Sequence, residues 1–241
     1  MLSFREFLNE ASVDKVQPKN RLELIDIIKD TIKKEGNNCD LNFIDTSLIK
    51  DMSALFSESN FNGDISKWNV SKVKYMRNMF AWSEFNGDIS KWNTSKVEDM
   101  HGMFCGSKFN GDISRWNISK VEDMSSTFKN SDFNGNISKW DTSNVEYMNG
   151  MFSDSKFNQD ISKWDVSNVK DMYLMFSGSV FNKDISKWDV SSVEDMEGMF
   201  FKSKFNQDIS KWDVSSVENM KTMFYGSPLE GNEPDWYKER N

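Results

Sequence analysis

A 24-residue segment repeats through most of this chain and limits what the chain can fold into. The first copy, FNGDISKWNVSKVKYMRNMFAWSE, begins at Phe61, and the pattern returns without insertion or deletion. A fixed period of about 20–50 residues is typical of a solenoid, in which each repeat buries its apolar face against its neighbours. Copies 1 to 7 begin at Phe61, Phe85, Phe109, Phe133, Phe157, Phe181 and Phe205.

The apolar positions of the repeat predict the core of the stack. Counted from each Phe, they are positions 1, 5, 8, 10, 13, 16, 19 and 20, and position 8 is Trp in all seven copies. The same frame extends to residues 37–60, a degenerate copy, and to residues 229–241, where Trp236 falls at position 8. We therefore predict eight repeats over 37–228 and a partial C-terminal repeat at 229–241 that caps the end.

Two periodicities inside each copy predict a strand followed by a helix. Positions 7 to 11 alternate polar and apolar residues, as in 163–167, which favours a short strand. Positions 13, 16, 19 and 20 have helical spacing, as in 193–200. Ser at position 11 and Glu at position 14, such as Ser95 and Glu98, match a capping box in five copies. The expected fold is an α/β solenoid, a right-handed stack of short parallel strands and short helices with the sheet on its concave face.

The run W-[DN]-x-S-x-V-x-x-M-x-x-M-F, present here as residues 188–200, resembles the BspA-like leucine-rich-repeat surface proteins. The resemblance covers about residues 37–241. It implies a leucine-rich-repeat-like fold, and recognition or adhesion through protein binding instead of catalysis. A surface adhesin-like protein is one reading of it.

Composition narrows the function classes and the expected location. The net charge of −8 disfavours nucleic-acid binding, which usually requires a basic surface. The two cysteines, Cys39 and Cys105, lie nearly three repeats apart and suggest no disulfide framework. No apolar run is long enough to span a membrane, and no secretory signal is recognisable at the first residues. We therefore expect a cytoplasmic protein or one inside a virion, in contrast to the surface-exposed relatives.

The residues before the repeats divide into an arm and a capping helix. Residues 1–19 form an amphipathic segment and a polar linker, and residues 20–36 predict a helix with Asn20 as N-cap and Gly36 as its stop. The first segment, MLSFREFLNEA, resembles the prohead-targeting peptides of internal head proteins of large contractile-tailed bacteriophages. The resemblance implies contacts with a prohead scaffold and a protease that cuts after Glu10, in the Leu8-Asn9-Glu10 motif, leaving Ala11 as the new N-terminus. The alternative is an ordinary amphipathic arm that packs on the solenoid.

Positions 7 and 9 are the candidate partner-binding residues. If positions 7 to 11 form a strand, these side chains point outward from the concave sheet at a spacing of about 5 Å. Position 9 changes from Asn to Asp halfway along the stack, so the first half is expected to favour an acidic or amide-rich partner. The alternative is a solvated row of charges with no ligand. The residues are Lys67, Asn69, Lys91, Asn93, Arg115, Asn117, Lys139, Asp141, Lys163, Asp165, Lys187, Asp189, Lys211 and Asp213.

Catalysis is not expected, because the one histidine, His101, falls at a variable position on the outer face of the predicted helix, so no His-based triad or metal cluster is expected there. We expect no metal and no cofactor. A second variable surface carries aromatic residues at positions that are polar in other copies, namely Tyr75, Trp82, Tyr173, Phe201 and Tyr225.

The sequence therefore predicts a non-catalytic module that binds a protein partner of unknown identity through its concave face. The alternative is a structural or internal virion protein of a tailed bacteriophage, targeted to the prohead by residues 1–10 and delivered to the host.

Overall fold

The repeats stack as turn-rich coils and not as alternating strands and helices. A computed structural model describes residues 15–240, and in that range the two helices are α1, Arg21–Glu35, and α2, Asp235–Lys238. The strand expected at positions 7 to 11 and the helix expected at positions 13 to 20 do not form in the described repeats. The chain is thus a repeat solenoid with a regular 24-residue period, but its coils are made of turns.

Backbone pairing between copies is concentrated at positions 14 to 22, away from the expected strand. The N–H groups of Met76, Asn78 and Phe80 donate to carbonyl oxygens of the next copy at 3.0, 2.8 and 2.9 Å. The same register repeats along the stack and gives isolated parallel bridges at position 15. These bridges join Asp51, Tyr75, Asp99, Asp123, Tyr147, Asp171, Asp195 and Asn219 in order.

Tight turns replace the expected helix for a clear physical reason. The N–H of Met79 returns to the carbonyl of Met76 at 3.2 Å, and the N–H groups between such turns are used by the neighbouring copy. An α-helix would need those same groups for bonds to residues four positions back. Positions 18 and 22 also adopt positive φ, as at Asn78 (51°) and Trp82 (56°), a conformation that breaks a right-handed helix.

The capping-box interpretation is therefore wrong. The hydroxyl of Ser95 donates to Asn93 Oδ1 at 2.7 Å, and the N–H of Glu98 donates to the carbonyl of Lys74 in the preceding copy. Ser at position 11 closes a local turn with the residue at position 9 instead of starting a helix.

Aromatic ladders fill the core between the turns. The Trp164 indole N–H donates to the Ile137 carbonyl of the previous copy at 3.1 Å, and every Trp at position 8 makes the equivalent bond. Two columns of Phe run alongside: Phe152 stacks on Phe176 at 5.7 Å and on Phe157 at 4.2 Å. Position 1 Phe and position 20 Phe are fully buried throughout the copies, as the apolar pattern predicts.

Both ends of the stack are covered. Helix α1 begins after Asn20, whose side chain accepts the N–H of Glu23, and it contributes Leu24 and Ile28 to the hydrophobic core. At the other end the Trp236 indole donates to the Ile209 carbonyl at 3.1 Å, which continues the tryptophan pattern into the tail. Terminal coils have one face without a neighbour, so such covers protect the apolar core from water.

Asp171 is an electrostatically unfavourable member of the position-15 column. Burial raises the pKa of its carboxyl above the ordinary value, and the nearby Asp195 and Asp123 add to the rise, although the Tyr173 N–H donates to it and acts in the opposite direction. Protonation of Asp171 is therefore more favourable in the folded state than in the unfolded chain.

Replacing Trp164 by Phe should lower the free energy of unfolding by about 2 kcal/mol, because the buried Ile137 carbonyl loses its donor. Urea denaturation followed by fluorescence measures the loss. The matched variant Trp236→Phe should lose less, since Trp236 is partly exposed and water can replace the indole at the Ile209 carbonyl. Equal losses in the two variants would contradict this account.

Replacing Asp171 by Asn should raise the free energy of unfolding at neutral pH. The stability contributed by protonated Asp171 is fully present below its unfolded pKa of about 4 and is lost as pH rises through the raised folded pKa. Asn stays neutral and keeps an Oδ1 acceptor for the Tyr173 N–H, as Asn219 does for Lys221 in the last copy. Denaturation curves measured across the acid range should converge below about pH 4; a gain that persists there would contradict the assignment.

Candidate functional site

The predicted partner-binding side chains form one exposed row along the stack. All fourteen residues at positions 7 and 9 are exposed, and we call them the Lys–Asx row. The row does not lie on a sheet, because within copies 1 to 7 no backbone hydrogen bond joins neighbouring copies at positions 7 to 9. The row is therefore held by turns on each side of the buried Trp at position 8.

The Asn and Asp side chains of the row are fixed by local hydrogen bonds. Asn69 Oδ1 accepts the Ser71 hydroxyl at 2.7 Å, and Asp141 Oδ1 accepts the Ser143 hydroxyl at 2.6 Å. One polar atom of each side chain is thereby committed to the turn. The other, an amide nitrogen or the second carboxylate oxygen, has no hydrogen-bond partner among the described residues and remains available to a ligand.

A set of carboxylates that the sequence analysis did not assign to this surface also faces the row. The backbone N–H and the hydroxyl of Ser114, together with Arg115, hold the pKa of Asp112 below its ordinary value although partial burial opposes this. The same arrangement of a position-4 Asp, the Ser two residues on and the position-7 cation recurs at Asp160, Asp184 and Asp208. The sequence could have indicated this interaction, because the Asp and the cation are three residues apart in every copy that has both. The expected strand included position 7 but not position 4, so the two were not assigned to one surface.

The position-4 carboxylates change the charge expected along the row. In the first half, Asp64 and Asp88 interact with the cations Lys67 and Lys91, so positions 4, 7 and 9 of these copies together carry no net charge. In copies 5 to 7, each cation has an Asp at position 4 and another at position 9, which leaves one net negative charge per copy. The row taken together with the position-4 carboxylates therefore runs from neutral to acidic.

A depression of 370 Å³ interrupts the row between copies 3 and 4. Residues 114–119 line it on one side, and Lys139 and Asp141 line it on the other. Position 9 changes from Asn117 to Asp141 at this boundary, so the depression brings together two cations, an amide and a carboxylate. Such a polar, open site suits a side chain of a larger partner better than a buried small molecule.

Groups that could carry catalysis do not converge on the row. His101 Nδ1 lies 3.8 Å from Asp123 Oδ2, in the surface that contains position 15. Burial raises the pKa of the Cys105 thiol, which disfavours the reactive thiolate. Among residues 15–240 no group of three or more His, Cys, Asp and Glu side chains is placed to hold a metal ion. In the same range, neither helix has the length and apolar character needed to cross a membrane.

The variable aromatic residues form one local pair instead of a continuous patch. Phe201 stacks on the exposed Tyr225 with ring centroids 5.4 Å apart. Trp82 lies elsewhere, against Gly106, where an added Cβ would come within 2.3 Å of the indole ring. The possible processing residues Leu8, Glu10 and Ala11 lie outside the described residues.

The 24-residue repeats and their aromatic core agree with a family match. The family described as "Mycoplasma protein of unknown function, DUF285" matches residues 27–132, 107–204 and 178–236. The chain belongs to this family. Its repeats are related to the BspA-like leucine-rich repeats that the sequence resembles. Comparison with curated proteins and with solved structures gives no match.

Proposed function

We propose that this protein is a non-catalytic binding module that recognises a protein partner through the Lys–Asx row. The observation that carries the proposal is the row itself, fourteen exposed polar side chains repeated at a fixed interval on a fully packed core. Because turn hydrogen bonds already hold the Asn and Asp side chains, a partner would bind them with little loss of conformational entropy.

The resemblance to BspA-like leucine-rich-repeat proteins supports the same proposal, since that family implies recognition through protein surfaces. A right-handed, leucine-rich-repeat-like winding of the stack, with the row on its concave side, belongs to this proposal. A surface adhesin-like role would use the same row toward an extracellular partner.

The chemistry of the described side chains supports a non-catalytic role. His101 and Cys105 lie away from the depression in the row, and the raised pKa of Cys105 keeps its thiol protonated. Binding by the row needs no metal or cofactor, because its cations, amides and carboxylates can meet a polypeptide directly.

Reversing two cations of the row tests the proposal. Lys91→Glu combined with Arg115→Glu should abolish or greatly weaken capture of partner proteins from an extract of the source cells, measured by quantitative mass spectrometry. The double variant Lys29→Glu with Lys204→Glu makes the same change in net charge at exposed positions off the row and should capture the same proteins as the native chain. Identical capture by all three proteins would reject the row as the binding surface.

The second candidate function is that of an internal virion protein, favoured by the resemblance of residues 1–11 to prohead-targeting peptides. It predicts that the protein recovered from purified viral particles lacks Met1–Glu10 and begins at Ala11. Intact-mass measurement of the particle fraction and of soluble cell extract distinguishes the two. A full-length chain confined to the soluble extract would reject packaging and leave the binding module as the remaining proposal.

A further inference from the structure

Three departures from the repeat pattern lie in copies 3 and 4, whose row residues line the depression. Position 7 is Lys in six copies but Arg at Arg115, and position 4 is Asp in six copies but Asn at Asn136. Position 9 changes from Asn117 to Asp141 across the same boundary. In copies that are otherwise nearly identical, such a concentration of differences gives this point of the row its own chemistry.

Lys139 has no carboxylate at position 4 of its own copy, because Asn136 stands where the other six copies have Asp. In each of the other six copies the position-4 carboxylate interacts with the position-7 cation of the same copy. Asn136 keeps the local turn, since its Oδ1 accepts the Ser138 N–H at 3.0 Å, but it brings no negative charge. Within residues 15–240 no position-7 cation has a salt-bridge partner within 4.0 Å, so Lys139 differs from the others only by the missing position-4 charge, and it lines the depression.

Arg115 and Asn117 provide further donors on the opposite side of the depression. An Arg guanidinium presents a planar fork that matches a carboxylate, which the Lys of the other copies cannot do. Asn117 Oδ1 accepts the Ser119 hydroxyl at 2.8 Å, so its amide nitrogen is the atom left for a ligand. Asp141 also lines the depression, and its Oδ1 accepts the Ser143 hydroxyl at 2.6 Å.

We propose that the depression is the anchor of the Lys–Asx row for an acidic side chain of the partner polypeptide, with an Asp or Glu carboxylate held between Arg115 and Lys139. This inference rests on the proposed function and specifies its partner chemistry. The partner's carboxylate supplies the negative charge that position 4 of copy 4 lacks. The Asn117 amide donates to the second oxygen of this carboxylate. The acidic copies 5 to 7 repel the remainder of an anionic segment, so the partner's acidic residue enters at this one point.

The test uses the full chain and a defined peptide. Titration of the ¹⁵N-labelled protein with acetyl-tetraglutamate amide should shift the Arg115 Nε–H and Asn117 side-chain amide signals, whereas acetyl-tetraglutamine amide at equal ionic strength should not. The decisive variant is Asn136→Asp, which restores the residue found in six copies and should therefore fold normally. It should weaken binding of the tetraglutamate peptide about threefold by supplying Lys139 with an internal partner.

Asn37→Asp is the matched control, because it adds the same negative charge at an exposed asparagine outside the Lys–Asx row and should leave the affinity at Arg115 unaltered. Absence of binding, shifts spread evenly over all row cations, or an unchanged affinity of Asn136→Asp would each overturn the anchor.

The outcomes separate the two proposals. If partner capture depends on the row but the peptide does not select Arg115, only the anchor fails; if the peptide binds there but capture ignores the row, the proposed function fails.

Discussion

The architecture depends on one constraint: most backbone N–H groups at positions 14 to 22 are paired either with the next copy or with a turn three residues back. This pairing has the period of the sequence, so an inserted or deleted residue would misalign the backbone bonds, the tryptophan bonds and the phenylalanine columns together. The indole of Trp92, for example, donates to the Ile65 carbonyl while its ring stacks 6.2 Å from that of Trp116. The register between copies and the packing of the aromatic core therefore depend on the same 24-residue period.

Much of this organisation could be predicted from the sequence, because burial follows the spacing of apolar residues. The core positions and helix α1 with its Asn20 cap are confirmed. The prediction of a strand and a helix within each copy is wrong. For the helix, the reason is that an apolar spacing of three and four residues suits a chain of turns as well as a helix. The decisive signal, positive φ at positions 18 and 22, is weak in the sequence, because residues such as Leu174 and Thr222 occupy these sites beside glycines.

In the candidate site too, the residue spacing predicts which side chains are exposed, whereas their proximity to other side chains depends on the fold. Exposure of Lys67 and Asn69 followed from their alternation with buried residues, and it is confirmed. The proximity of Asp112 to Arg115 could not be obtained from alternation, because it depends on a turn that folds position 4 toward position 7. Thr127 stands at position 19, where the other six copies have Met, and geometry again adds what spacing does not show: the side chain is fully buried and its hydroxyl donates to the Met124 carbonyl at 2.7 Å.

The covered ends have a consequence for how the molecule assembles and comes apart. Most contacts join residues one copy apart, so ordering can spread from any pair of adjacent coils without closing a large loop. The coils beneath the covers are the first exposed when α1 or the tail detaches. Arg240 donates to the Val214 and Val217 carbonyls, and Arg21 donates to the Ser53 carbonyl at the opposite end. Detachment of either cover therefore requires the hydrogen bonds of its arginine to break, which exposes the terminal coil to water.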